Sequence, residues 1–226
     1  MSLQDNKEEG KKEDNAGKLK EFIIIGTIRI EKNELKERII NSYENVKREE
    51  PTKWNLDTII NVENEDDITD CEIFINEKNI KFNYYYNFPS EGIYTIKYKF
   101  KKVIRFTTFM FYNCKALISL DLSNFNTQNI TDMNFMFSNC YSLISLDLSN
   151  FNTQNVIYMD YMFYECNSLQ SLDLSNFNTQ NVINMNHMFY NCNTIKSLYL
   201  SKFNTQNVIN MNHMFYNCKS LKSLDL

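Results

Sequence analysis

The sequence predicts an α/β repeat, a solenoid in which each 26-residue unit supplies one parallel strand and one short helix, preceded by a small β-rich domain. Three observations predict it. Cys114, Cys140, Cys166, Cys192 and Cys218 recur at a constant interval of 26 residues. Every methionine after Met1 falls in one of two columns of the same register: Met133, Met159, Met185 and Met211, or Met110, Met136, Met162, Met188 and Met214. Ahead of these columns, apolar residues alternate with period two, the signature of half-buried strands. The chain therefore divides into a disordered tail over 1–20, a β-rich N-terminal domain over 21–102, and repeats over 103–226.

The start, "MSLQDNKEEGKKEDNAGKLKE", is charged and without periodicity, a composition that cannot bury enough apolar surface to offset the entropy of ordering. From Glu21 the pattern becomes strand-like in "EFIIIGTIRI". Strict alternation follows in Cys71, Ile73 and Ile75, in Ile80, Phe82, Tyr84, Tyr86 and Phe88, and in Tyr94, Ile96, Tyr98 and Phe100. The connectors "NEKN" and "PSEG" carry turn chemistry, so the last three strands read as an antiparallel meander. Between them, Leu35, Ile39, Tyr43 and Val46 fit one helix face while "RIINSY" fits a strand equally well, and both readings stand.

Within one unit, "LISLDLS" from Leu143 places Leu146 and Leu148 on one side of a strand and Ser145, Asp147 and Ser149 on the other. "NFNTQN" is a polar turn. Ile130, Met133, Met136, Phe137 and Cys140 fall within about a third of a helical wheel, which predicts a short helix with that face inward. A lone unit buries too little apolar surface to offset the fixing of its backbone, so units must stack. The cysteine column then reads as small, reduced, buried hydrophobes.

The pattern "LxSLDLSxFNTQNVxxMxxMFxxC" resembles the BspA-like variety of leucine-rich repeat over Val103 to Leu226. It departs from the standard leucine-rich pattern in one respect: Phe125, Phe151, Phe177 and Phe203 stand where that pattern has Asn, which assigns turn bonding to Asn124, Asn126, Asn129 and their equivalents. The resemblance implies a curved solenoid used for recognition or adhesion, as in bacterial surface proteins, and carries no catalytic residue. The segment from residue 21 resembles what precedes such repeats in some protist proteins, and this implies that it caps the first coil.

Composition narrows function further. A net charge of −4 without a basic stripe argues against nucleic acid. No run is apolar enough to span a membrane, and the start lacks a secretory leader, so an intracellular location is the default and the cell surface is what the resemblance implies. No Gly-rich phosphate loop, nucleophile elbow or HExxH is present, and His187 and His213 are the only histidines; no enzyme, cofactor or metal site is expected. The binding candidates are Ser119, Asp121, Ser145, Asp147, Ser171, Asp173, Ser197 and Tyr199 on the strand face, with Tyr199 as the natural anchor. Two further columns, Phe109, Phe135, Tyr161, His187, His213 and Tyr112, Ser138, Tyr164, Tyr190, Tyr216, read as an outward aromatic band or as rings packed along the stack. Thr127, Thr153, Thr179 and Thr205 form a regular array. The reading is a non-catalytic module that binds a protein partner, with end-to-end self-association through the last strand. The rival is the scaffold portion of a larger signalling enzyme whose catalytic domain lies outside this chain.

Overall fold

The computed structural model describes residues 22–54 and 62–225; the expected tail over 1–20 lies outside them. Its N-terminal elements are β1 (Phe22–Ile30), β2 (Lys36–Arg38), α1 (Tyr43–Glu49), α2 (Glu65–Thr69), β3 (Glu72–Ile75), β4 (Lys78–Ile80), β5 (Tyr85–Asn87) and β6 (Gly92–Phe100). The strands β7 (Leu117–Asn124), β8 (Ser145–Leu146), β9 (Ser171–Asp173), β10 (Ser197–Tyr199) and β11 (Ser223–Asp225) follow. The ambiguous "RIINSY" segment is divided: Arg38 ends β2 and Tyr43 begins α1, so neither the strand nor a helix face reaching back to Leu35 spans it. Ser42 is the N-cap of α1, and its Oγ accepts the N–H of Asn45 at 3.1 Å, satisfying one of the donors that a first helical turn leaves open.

Three sheets form: six strands in the order β4-β3-β6-β1-β7-β8, three in the order β11-β10-β9, and the pair β2-β5. Asn76 and Glu77 take left-handed φ values of 45° and 65°, which closes a tight β3-β4 hairpin. The expected meander is interrupted because β5 pairs with β2 instead of continuing from β4. Ile24, Ile28 and Ile30 of β1 and Ile96, Tyr98 and Phe100 of β6 are buried. β1 also runs antiparallel to β7, so the strand-rich segment and the first 26-residue unit share one sheet. Gly26 sits at that joint, where a Cβ would stand 3.3 Å from both Leu117 and Leu120.

The expectation of an α/β leucine-rich-repeat solenoid with a helix in each unit is corrected here. The protein is mostly β with mixed sheets, and among the described residues no helix occurs after α2. The segment 133–140, expected as helix, is a run of overlapping turns. Met136, Ser138 and Cys140 donate their N–H groups three residues back, to Met133, Phe135 and Phe137. The intervening Met133, Phe135, Phe137 and Asn139 donate across to carbonyls of the next unit, at Tyr158, Asp160, Met162 and Tyr164, over 2.8–3.0 Å. Left-handed residues enforce the alternation: Phe135 has φ 56° and Asn139 φ 61°, and the same two positions are left-handed in every unit. A helix needs each N–H to point back along its own axis, and left-handed residues break that run. Met133, Met136, Phe137 and Cys140 are buried all the same, because a three-residue turn and a helix place similar spacings on one side.

The strand array is likewise not one parallel ladder. β8 pairs with β7 and β9 with β10; between the two sheets no ladder forms among the described residues, and they are linked by the long Gln170 N–H to Ile144 O bond at 3.5 Å and by Asn176 Nδ2, which donates to Leu148 O and Ser149 O at 3.0 Å. Isolated parallel bridges link Phe106, Asp132, Tyr158, Asn184 and Asn210 in succession.

The first unit has carbonyls at 106, 108, 110 and 112 that face no earlier unit. Two buried asparagines answer them. Asn64 Nδ2 donates to Phe106 O at 3.3 Å and Thr108 O at 2.8 Å, while Asn41 donates its backbone N–H to Met110 O at 2.7 Å and its Nδ2 to Tyr112 O at 3.3 Å. Asn64 stands at the N-cap position of α2, yet its side chain serves this ladder and accepts the Tyr43 N–H at 2.9 Å. Orphaning buried carbonyls is costly, so Asn64→Ala should lower stability by about 2 to 4 kcal/mol, read as a drop in the urea midpoint at constant slope.

All six cysteines are free, and burial pushes the Cys114 thiol up to about 12. Cys140, Cys166 and Cys192 donate Sγ–H to Phe111 O, Phe137 O and Phe163 O at 3.1–3.2 Å. A thiol reagent without denaturant should therefore modify the half-buried Cys218 first and leave Cys114, Cys140, Cys166 and Cys192 intact; rapid labelling of these four would contradict the packing.

Candidate recognition surface

The strand face places the eight candidate residues in two groups. Ser119 and Asp121 lie on β7 and Ser145 on β8, within the six-stranded sheet; β1 sets Thr27 opposite Ser119 and Ile25 opposite Asp121. Ser171 and Asp173 on β9 and Ser197 and Tyr199 on β10 belong to the three-stranded sheet, and Asp147 follows β8 outside both. Asp121, Asp147 and Asp173 are exposed, but one carboxylate oxygen of each is engaged, accepting the N–H of Ser123, Ser149 and Ser175 at 2.9 Å. The hydroxyl and amide of the following serine hold Asp121 and Asp173 below the usual carboxylate range; for Asp147 the Ser149 amide contributes most. Tyr199 is 45% exposed at the centre of its sheet, in register with Asp173 and Asp225 on either side.

The two aromatic columns pack along the stack. Phe109, Phe135, Tyr161 and His187 follow one another with ring centroids 4.4, 4.5 and 4.7 Å apart and nearly parallel planes, and His213 lies 5.0 Å beyond. Phe109 and Phe135 are buried beneath α1 and Trp54, whereas Tyr216 is 53% exposed. Burial, then the neighbouring His213, lowers the His187 pKa.

Three of the four threonines of the array turn inward, and Thr205 is exposed. Thr127, Thr153 and Thr179 are buried, and their Oγ1 atoms donate to Asn152 O, Asn178 O and Asn204 O at 3.0–3.2 Å, so they are structural links between units rather than a flat array facing solvent. Of the asparagines assigned to turn bonding, Asn126, Asn152, Asn178 and Asn204 do so by accepting N–H groups two residues on, whereas Asn155, Asn181 and Asn207, the equivalents of Asn129, donate Nδ2–H to Gln128 O, Gln154 O and Gln180 O of the preceding unit.

Sequence reasoning missed two features. One is an open groove of about 860 Å³ between the column Asn129, Asn155, Asn181 and the column Thr131, Ile157, Ile183, with Arg105 at its first rung. The constancy of Asn beside a β-branched residue was its only trace. The other is a pair of buried carboxyls. Asp132 accepts from Thr108 Oγ1 and the Asn134 N–H, both at 2.8 Å, and burial pushes its pKa up to about 6. Burial, followed by the nearby Asp132 charge, pushes Asp160 up to about 7.

No helix of the described residues is long and apolar enough to cross a membrane. The described residues thus combine mixed sheets with a hydrogen-bonded array of 26-residue units that carries an exposed polar strand face. Residues 105–225 match a family described as "Mycoplasma protein of unknown function, DUF285", and the chain belongs to that family. The resemblance to BspA-like leucine-rich repeats is thereby corrected, and the adhesive and surface roles it implied lose their support with it. No curated protein and no solved structure matches the chain.

The raised carboxyls fix the sign of a pH effect. Between about pH 4 and pH 7 the folded chain holds protons on Asp132 and Asp160 that the unfolded chain has already lost, so their contribution to stability falls as pH rises through that window. Asp160→Asn installs the residue found at the equivalent positions 134, 186 and 212. It should raise stability at pH 8 by about 2 kcal/mol and leave stability at pH 4 nearly unchanged, measured by urea unfolding across pH. A variant whose stability still falls as steeply between pH 4 and pH 7 would contradict the assignment.

Proposed function

We propose that the protein is a non-catalytic recognition module that binds a protein partner on its strand face. The observation that supports this reading most is Tyr199. A large ring, 45% exposed, stands at the middle of a three-stranded sheet where Asp occupies the equivalent position on both neighbouring strands. Exposed tyrosines on rigid elements are frequent anchors of protein contacts, and short Ser and Asp side chains around one let a partner approach closely. The same reading includes pairing of the chain with itself through β11, which among the described residues pairs with β10 alone.

The chain of residues 1–226, immobilised at one end and exposed to native lysate and cell-surface extract, tests the reading. A captured protein should lose about tenfold or more of its affinity with Tyr199→Ser, while melting of the variant stays close to wild type, since the side chain is not part of the core. Equal capture by wild type and Tyr199→Ser would remove the strand face from the proposal.

A further inference from the structure

Four of the five members of one aromatic column are tyrosines, Tyr112, Tyr164, Tyr190 and Tyr216; the fifth is Ser138. Tyr164, Tyr190 and Tyr216 stack at 5.0 and 4.8 Å with nearly parallel planes. A hydroxymethyl group in place of a ring leaves a one-ring gap between Tyr112 and Tyr164, next to Phe135 and Tyr161 of the neighbouring column.

The gap is filled from another part of the chain. The Trp54 indole lies 4.9 Å from Phe135, 5.4 Å from Tyr161, 5.9 Å from Tyr164 and 6.3 Å from Tyr112, tilted 60–87° to all four. This is the edge-to-face geometry that aromatic quadrupoles favour. Ser138 is fully buried although it is the smallest side chain of its column, and its Oγ has no hydrogen-bond partner.

Lys53 accompanies the indole. Its Nζ donates to the Tyr112 hydroxyl at 2.8 Å and lies 5.5 Å from that ring's centroid. Trp54 Nε1 donates to the same hydroxyl at 3.1 Å, and the hydroxyl donates onward to Glu50 Oε2 at 2.6 Å.

We propose that the gap at Ser138 is a slot for a Lys-Trp pair, filled in this structure by the chain's own Lys53 and Trp54, and that a protein partner presenting the same pair in an exposed segment can take their place. What fixes the strap 51–54 supports exchange. Pro51, Thr52 and Lys53 are exposed and Trp54 half-buried; apart from the Lys53 N–H donated to Glu50 O at 3.2 Å, which lies within the same segment, the contacts named are side-chain contacts that a segment from another molecule reproduces without the covalent connection. The slot is built from the aromatic columns of the turn runs whereas Tyr199 stands on β10, so the slot can fail while the strand-face reading stands, and the reverse.

Trp54 is the only tryptophan of the chain, which makes its fluorescence a direct reporter. The probe is a synthetic peptide with the sequence of residues 50–55, "EPTKWN", carrying non-fluorescent 4-fluorotryptophan. Added to the full chain, it should shift Trp54 emission to the red with saturation as the native indole is expelled. Ser138→Tyr, which completes the ladder with the column's own residue, should show red-shifted emission from the start and no response to the peptide.

A second variant guards against a folding defect in the first. Trp54→Ala leaves the slot vacant and the protein without tryptophan. Unlabelled EPTKWN should then bind with a saturable blue shift of its own indole, at an affinity about tenfold or more above its apparent affinity for wild type, because the internal competitor is gone. Absence of saturable binding to Trp54→Ala would overturn the slot. A wild-type Trp54 emission that the peptide never moves would overturn the exchange.

Discussion

The structure depends on one constraint: alternate N–H groups of each turn run leave their own unit. In 133–140 the even-numbered donors close local turns and the odd-numbered ones cross to the next unit, and left-handed φ values at Phe135 and Asn139 set that division. Side chains are ordered as a result. Once backbones are held at the spacing of adjacent strands, residues in one column must stack, and the centroid distances of 4.4–5.0 Å along Phe109, Phe135, Tyr161, His187 and His213 are that spacing read out in rings. Asn suits one left-handed position by its tolerance of that region; Phe, Tyr and His hold the other at a cost that packing within the ring stack offsets.

An array of this kind is open at its first unit unless something supplies donors at the right spacing. Asn41 and Asn64 supply them, and β1 supplies the strand that completes β7. Trp54 extends the same closure sideways, over the aromatic columns. The strand-rich segment thus replaces a preceding unit by three different means: side-chain amides for the turn carbonyls, an antiparallel strand for the sheet edge, and an indole for a missing ring.

Much of this was legible in the residues, and the exceptions share a cause. The 26-residue interval, the inward Met and Cys columns and the β-rich character of 21–102 follow from spacing and alternation alone. The helix expected in each unit did not form, because i and i+3 apolar spacing fits a turn run as well as a helix, and left-handed φ at Phe135 is a property of the stack rather than of phenylalanine. Thr127 looked like a surface residue and became an internal link, since its hydroxyl can accept and donate between units where Asn was expected. The gap at Ser138 was visible as one exception in a tyrosine column. Its occupant was not, because Trp54 is distant in sequence and lies in no periodic segment.

Amide hydrogen exchange resolved residue by residue tests the central claim most directly. If units are held by the alternating donors, the N–H groups of Met133, Phe135, Phe137 and Asn139 exchange only through global unfolding, with one common free energy shared by their equivalents in the next unit. Protection confined to Met136, Ser138 and Cys140, with the four crossing donors exchanging at the rate of an open chain, would mean that each turn run stands alone, and would contradict the account.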